Sequence, residues 1–202
     1  MKMTLFVLGI STMSALVLVA VVSVVSPNHR LWPVSERNWK FWLTWTLWPV
    51  SMVSALGVGV LDRGSFVLPT SVSFFVGSGM FVGGILIALE SIRELGLDET
   101  EGVEGDLRTG GLYRYSRNPQ YVGDIIMTVG FMLLTNSRLV IFLGAVHLAY
   151  YVLLPFAEEP WLQDQYGEKY REYREAVPRF VGMRTFEQIL GDKQSNSERG
   201  NP

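Results

Sequence analysis

Two short polar segments carry the residue types that could do chemistry, and each lies beside a long apolar stretch. Residues 107–123 read LRTGGLYRYSRNPQYVG, and residues 158–180 read EEPWLQDQYGEKYREYREAVPRF. In the first segment, Asn118 followed by Pro119 is typical of a helix N-cap and first helical residue. The free N–H groups of such a helix start can bind an anion, and nearby arginines would add cationic donors. The tyrosines of this segment, Tyr113, Tyr115 and Tyr121, could pack against a flat ring or a lipid chain. The alternative is an interfacial loop with basic lipid anchors and an aromatic belt.

The second segment begins with adjacent carboxylates, Glu158 and Glu159, directly after an apolar run. Adjacent carboxylates at a membrane boundary repel each other and are unfavourable to desolvate, so they need a cationic partner. A sulfonium or an α-amino group of a ligand would serve, and so would an arginine of the chain itself. The candidate arginines are Arg114, Arg117 and Arg179.

The elements that must position these segments are apolar helices. The chain has 202 residues, 49% of them hydrophobic, and a mean hydropathy of +0.24, which is typical of a polytopic membrane protein. Its apolar stretches are 3–26, 41–61, 64–89, 125–137 and 139–157. The first three exceed the ~20 residues needed to cross a bilayer, and the fourth becomes long enough if its helix begins at Pro119. The first is also longer than the ~7–15 apolar residues of a signal peptide, so we expect a retained helix.

The sequence therefore predicts an all-α membrane protein with five transmembrane helices, the last two forming a helical hairpin. An amphipathic helix outside the bilayer is predicted over 158–180, because apolar and aromatic residues recur there at intervals of three and four. The predicted units are a three-helix membrane anchor over 1–89 and a core over 90–185. Residues 186–202 are expected to form a disordered tail. Tryptophans of the anchor predict an aromatic belt near one interface; they are Trp32, Trp39, Trp42, Trp45 and Trp48.

Basic residues are divided unequally between the two sides that five spans would create. Fourteen of the 17 Lys and Arg residues fall in the 27–40 loop, the 90–118 loop and the segment from 158 onward. Cytoplasmic loops carry such an excess, so the amino terminus is predicted to lie outside and the carboxyl terminus in the cytoplasm. Both polar segments would then face the cytoplasm.

A hairpin over 119–157 connects the two segments and returns them to the same surface. Its predicted turn is Asn136–Ser137–Arg138, so the twin carboxylates can lie near Asn118 and form one candidate site. The chain has no cysteine and only two histidines. Disulfides and thiolate chemistry are therefore excluded, and neither a metal site nor a nucleic-acid partner is expected.

Taken together, the two segments resemble the isoprenylcysteine carboxyl methyltransferase and phospholipid methyltransferase superfamily. The runs that carry the resemblance are TGGLYRYSRNPQYVG, EEPWL, YGEKY and VPRF, in this order, over about residues 107–180. The resemblance implies a membrane-embedded methyltransferase that uses S-adenosylmethionine on the cytoplasmic side. It also implies a lipidic or small hydrophobic acceptor that arrives from the bilayer, such as an isoprenylcysteine carboxylate or a phospholipid headgroup.

The resemblance also assigns residues by position. Those expected to bind the cofactor are Tyr113, Arg117, Asn118, Pro119, Tyr121, Glu158 and Glu159. Those expected to close the pocket or orient the acceptor are Tyr170, Tyr173 and Arg179, and the expected catalytic residues are Arg117, Glu159 and Arg179. One departure from the pattern is Asn118, where the prenylcysteine enzymes usually have His. An amide does not titrate near neutral pH, which weakens a general-base role at this position.

Two alternatives stay open at the level of sequence. The run RNPQYVGD, which includes Asp124, resembles the carboxyl-terminal half of membrane sterol reductases that use NADPH, although those proteins have more spans. The other alternative is a non-catalytic membrane scaffold, which predicts no cofactor binding.

Overall fold

The computed structural model describes residues 1–34, 36–96, 100–101, 106–186 and 188–190, and the regular elements in this part of the chain are all helical. The long helices are α1 (Lys2–Val25), α2 (Trp39–Leu61), α3 (Thr70–Leu95), α4 (Pro119–Thr135) and α5 (Arg138–Tyr166). A shorter helix, α6 (Glu168–Ala176), follows α5, and 3₁₀ turns lie at Pro27–His29 and Gly111–Arg114. The prediction of an all-α fold is confirmed for the described residues.

Four of these helices make the chain an integral membrane protein. Helices α1, α2, α3 and α5 are each long and apolar enough to cross a membrane. Their outward faces carry exposed apolar side chains such as Leu18, Val60 and Phe75, as contact with lipid requires. Helix α4 has 17 residues, which corresponds to about 25 Å and falls short of the ~30 Å hydrocarbon core.

Successive long helices run in opposite directions between two ends of the bundle. At one end, the indole Nε1 of Trp32, beyond α1, donates to Glu158 near the end of α5 at 2.6 Å. We call this the site end. At the other end, Ser137 at the start of α5 donates to Asp62 at the end of α2 at 2.7 Å. The turn between α4 and α5 falls at Asn136, whose φ of 48° is left-handed, so the predicted hairpin turn is confirmed.

Glycines bring α3 and α4 into close contact along their length. A Cβ added at Gly84 would lie 2.3 Å from the backbone nitrogen of Met127, and one added at Gly130 would lie 2.3 Å from that of Phe81. Any side chain at these positions would push the two backbones apart. The contact therefore fixes α4, and with it the Asn-Pro corner at its start, against α3.

The bounds predicted for a separate helix over 158–180 are wrong. Helix α5 continues through Glu158 and Pro160 to Tyr166. The helix ends there, and Gly167 follows with a φ of 55°. Pro160 was expected in the first turn of a new helix, where proline fits well. It lies instead inside α5, which is already formed before it and continues beyond it. The twin carboxylates are consequently held on the rigid end of a long helix. Most of the predicted 186–202 tail lies outside the described residues.

Candidate functional site

A cavity of about 100 Å³ lies at the site end, and both polar segments line it. We call it the motif cavity. Seven of the predicted site residues form part of its wall: Tyr113, Arg117, Asn118, Tyr121, Glu158, Tyr170 and Tyr173. Pro119, Glu159 and Arg179 are not in the wall. Pro119 is the first residue of α4, as predicted, and the other two lie behind the wall.

Glu159 lies at the centre of an ion-pair network with two arginines. Its Oε1 accepts from Nη2 of Arg117 at 2.6 Å and from Nε of Arg179 at 2.7 Å, and its Oε2 accepts from Nη2 of Arg179 at 2.5 Å. The side chain of Arg117 is only 8% exposed, and that of Arg179 is 31% exposed. The proximity of this carboxylate raises the pKa of Arg179, which stays charged. Both oxygens of Glu159 are thus occupied by cations of the chain itself.

The same network ties the segment after α6 to the start of α4. Nη1 of Arg117 donates to the carbonyl oxygens of Arg174 at 2.7 Å and Val177 at 3.1 Å. Its backbone N–H donates to the carbonyl of Pro178 at 2.9 Å. One arginine therefore fixes α5, the α6 segment and the entrance to α4 relative to one another.

Asn118 occupies the predicted N-cap position of α4 but does not cap it through its side chain. Its Nδ2 instead donates to the carbonyl oxygen of Arg179 at 2.9 Å, beside a bond from Ser116 Oγ to the same oxygen at 3.2 Å. The expected capping hydrogen bond is therefore wrong. The side-chain amide instead makes a tertiary contact with the segment around Arg179.

Glu158 has a different environment from its neighbour. Its Oε1 accepts from the indole N–H of Trp32 at 2.6 Å and from the hydroxyl of Tyr121. Both donors are neutral, and the side chain belongs to the wall of the motif cavity. The two glutamates therefore have different partners. Glu159 is neutralised by arginines, whereas Glu158 has only these neutral donors and lines the cavity.

An aromatic wall faces Glu158 from α6. The rings of Tyr170 and Tyr173 lie edge to face with centroids 6.2 Å apart, and the hydroxyl of Tyr173 donates to the carbonyl of Tyr113 at 2.6 Å. Burial raises the pKa of both phenols, so they stay protonated and neutral at physiological pH. Leu107, Leu162 and Tyr166 pack against the same cluster.

The glycine pair of the first segment is held by the end of α3. The backbone N–H of Leu112 donates to Oε2 of Glu94 at 2.6 Å. Gly111 has a φ of 54°, and a Cβ there would lie 1.9 Å from the Glu94 carboxylate. The left-handed conformation favours glycine at this position, and any side chain here would displace the Glu94 carboxylate.

Three residues of the site were missed by sequence reasoning. Trp32 was assigned to an aromatic belt but is buried and bonded to Glu158. Glu94 lies in the last turn of α3, where the sequence changes from apolar to polar, and such a position is typical of a solvated helix end. Trp161 follows the twin carboxylates, but no spacing pattern in the sequence marks it as a site residue. Trp39 and Trp42 are exposed, as the aromatic-belt prediction requires.

The donor set suits a ligand with a cationic end and a flat ring. Glu158 offers a carboxylate, the tyrosines and Trp161 offer aromatic faces, and Asn118 offers a polar amide. Nε of Arg117 is buried without a hydrogen-bond partner, so it is an orphaned donor behind the same wall. The cavity is smaller than the ~300–1,000 Å³ typical of small-molecule sites, so a nucleoside-sized ligand requires its wall to move outward.

Comparisons with known proteins agree with this reading of the two segments. The model of a family described as "Phospholipid methyltransferase" matches residues 72–169. This range contains the Asn-Pro corner, the hairpin and the twin carboxylates. Over these residues the chain is similar to the phospholipid methyltransferase family. The superfamily resemblance predicted from the motifs is thereby confirmed.

Two relatives carry informative names. "Phosphatidylethanolamine N-methyltransferase B" of Dictyostelium discoideum is 30% identical over 124 residues, which cover 56% of this chain and 62% of that protein. "Methanethiol S-methyltransferase" of Pseudomonas deceptionensis is 28% identical over 172 residues, which cover 81% of this chain and 54% of that protein. The chain therefore spans less than two thirds of the length of either relative. No solved structure matches it significantly.

Proposed function

We propose that the chain is a membrane-embedded methyltransferase that uses S-adenosylmethionine and acts on a lipidic or small hydrophobic acceptor. The observation that carries this proposal is the convergence of Arg117, Asn118 and the Glu158–Glu159 pair around one cavity at the site end. The names of the two relatives span the acceptor range, from a phospholipid amine to a small thiol.

The proposed membrane arrangement has five spans. Helix α4 would be the short fourth span, and its close packing on α3 supports it, because a packed helix need not match the bilayer thickness by itself. The site end would face the cytoplasm and the amino terminus the outside, with α6 outside the bilayer. Residues 1–89 would act as the anchor and 90–185 as the catalytic core.

The geometry supports a division of roles within the predicted site. Glu158 would receive the ammonium end of the cofactor, and Tyr113, Tyr170 and Tyr173 would line its ring. Glu159, Arg117 and Arg179 occupy one another, so they would act as positioning residues that hold α5, α6 and the start of α4 in register. S-adenosylmethionine, when bound, supplies an electrophilic methyl carbon; the chain's own contribution is alignment and the exclusion of water.

The nature of the acceptor decides whether a base is needed. A thiolate is already an anion and needs none, whereas an amine must lose a proton. Glu158 is the candidate acceptor of that proton, because both oxygens of Glu159 bind arginines. Asn118 cannot serve, since an amide does not titrate.

The direct test is transfer of a labelled methyl group from S-adenosylmethionine to phosphatidylethanolamine, a farnesylcysteine analogue and methanethiol, assayed side by side with the purified full chain. We expect incorporation into at least one acceptor and its loss in Arg117→Ala. The matched control is Arg171→Gln, an exposed arginine of α6 that pairs with Glu168. Wild-type turnover in Arg117→Ala would contradict the site assignment.

Calorimetry separates the proposal from its two alternatives. A methyltransferase binds S-adenosylhomocysteine and not NADPH, a reductase binds NADPH, and a scaffold binds neither. Binding of NADPH alone, or of neither compound, would overturn the proposed function.

A further inference from the structure

The described residues that follow α6 include a short helical segment with an exposed apolar side. Residues 183–186 and 188–190 are helical. Five apolar side chains in this part of the chain have exposed fractions between 37% and 82%, and we call them the outer face. They are Val181, Met183, Phe186, Ile189 and Leu190. Large apolar side chains gathered on one exposed side mark a surface that contacts an apolar environment.

The polar side of the same segment is bonded to the protein. Thr185 is buried, and its hydroxyl donates to the carbonyl oxygen of Tyr115 at 2.7 Å. The guanidinium of Arg184 donates to the carbonyl oxygen of Glu175. At ~100° per residue, the outer-face residues from Met183 onward fall within an arc of about 120°, and Thr185 lies outside it. The segment therefore turns its polar side towards the protein and its apolar side away from it.

Helix α6, at the same end of the bundle, has the opposite arrangement. Its Tyr170 and Tyr173 are buried together with Val177, whereas Glu172 on the other side of the helix is exposed. An amphipathic helix on a protein surface normally buries its apolar stripe in this way. The outer face, by contrast, stays uncovered by the described part of the chain, and leaving it in water is unfavourable.

The outer face begins beside the lipid-facing surface of α5. The guanidinium of Arg179 lies 3.8 Å from the centroid of the Phe156 ring. Phe156 belongs to the apolar run of α5 and is exposed, so it is one of the side chains that contact lipid. Val181 follows Arg179 by two residues, which is at most ~7 Å of chain. The outer face is therefore continuous with the surface that the bilayer already covers.

We propose that residues 181–190 form a membrane-surface anchor, whose outer face inserts into the boundary between headgroups and acyl chains beside α5. Amphipathic helices bind bilayers in this way, with the apolar face ~5–10 Å deep. A second copy of the chain is a poorer occupant, because a stable protein interface takes ~20–30 residues a side. The anchor does not rest on the proposed methyl transfer. Through the bond between Thr185 and Tyr115, it holds the first polar segment at the membrane surface.

Site-directed spin labelling tests the anchor directly, because the chain has no cysteine of its own. Phe186→Cys and Leu190→Cys each receive a nitroxide, and the full chain is placed in phosphatidylcholine nanodiscs. Power saturation then compares contact with oxygen, which concentrates in the bilayer, and with a water-soluble nickel chelate. We expect both labels to lie ~5–10 Å below the phosphates, with oxygen contact predominating. The matched control is Glu172→Cys on α6, whose label should contact the nickel chelate instead.

A second variant perturbs the anchor with little risk to folding. Met183 is 82% exposed, so Met183→Asp should leave the melting temperature unchanged but shift the label of Leu190→Cys towards water. An unchanged label depth in this variant would overturn the proposal. So would outer-face labels that contact the nickel chelate as strongly as the α6 control, which would place the face in water. Labels shielded from both reagents would place it against a protein, a second copy included, and would overturn the proposal as well.

Discussion

The two ends of α5 each hold a buried carboxylate, and the difference between them separates a structural cluster from a candidate site. At the opposite end, Asp62 accepts from the ammonium of Lys2 at 2.8 Å and from the hydroxyls of Ser65 and Ser137 at 2.7 Å each. At the site end, Glu159 is paired with two arginines, but its neighbour Glu158 is bonded by neutral donors and faces a cavity.

The comparison shows that burial and ion pairing alone do not mark a site. Both clusters join three chain segments and both satisfy a carboxylate. Only the site end combines its pair with a second carboxylate, an aromatic wall and a cavity, and Asp62 does not line the motif cavity. A carboxylate held in place beside open space is what a cationic ligand can use.

The largest effect is expected from removing the charge at the centre of the site-end network. Glu159→Gln leaves Arg117 buried without its counter-ion, which is expected to lower the free energy of unfolding by about 3 kcal/mol, the lower end of the range because Arg179 is partly exposed. We expect methyl transfer to fall about a hundredfold, because without the network the segments that line the site lose their alignment. Labelled methyl incorporation and thermal unfolding measure the two effects. Glu168→Gln, an exposed glutamate of α6, is the matched control; equal behaviour of the two variants would refute the assignment.

A second variant tests whether the close contact with α3 holds α4 in place. Gly84→Leu places a side chain against the backbone of Met127, whereas Gly83→Leu points into open space. Overpacking typically destabilises by ~1–3 kcal/mol, so only Gly84→Leu should lower the melting temperature in detergent. Similar melting temperatures for the two leucine variants would show that the α3–α4 contact is not tight.

At the opposite end, Asp62→Asn is expected to weaken the fold without touching the chemistry. The Lys2 ammonium holds the pKa of the Asp62 carboxyl below its usual range. The carboxylate therefore stabilises the fold above its unfolded pKa of ~3.9, and this contribution is lost as the pH falls through the lower folded value. Wild type should lose melting temperature below about pH 4 more steeply than Asp62→Asn. Turnover per folded molecule should be unchanged, and a large loss would show that the opposite end also serves the reaction.

The smallest effect is expected from Tyr121→Phe, which removes one neutral donor from Glu158. A hydrogen bond to a charged group contributes about 1.5–3 kcal/mol. Binding of S-adenosylhomocysteine should therefore weaken by about tenfold or more, while the protein stays folded. Calorimetry gives the affinity. The control is Tyr115→Phe, since Tyr115 does not line the motif cavity, and an equal change in both would contradict a specific role for Glu158.

Several features could be predicted because they depend on local chemistry. The apolar runs gave α1 and α2 to within two residues, but α3 begins and ends six residues after the predicted stretch 64–89. The Asn-Pro and Asn-Ser-Arg signals gave the start of α4 and the turn before α5. The partners of the twin carboxylates could not be predicted. Adjacent residues on a helix point in directions about 100° apart, so Glu158 and Glu159 meet different neighbours, and which neighbours depends on how the helices pack.

The sequence by itself determined the helical, membrane-embedded character of the chain and the two segments that a hairpin returns to one end, because hydropathy and helix-terminal residues act over a few turns. The tertiary structure alone decided that Glu159 is neutralised by Arg117 and Arg179, that Trp32 is a partner of Glu158, and that α5 runs past Pro160 to Tyr166. Those outcomes rest on contacts between residues far apart in the chain, and such contacts are fixed by packing rather than by any local pattern.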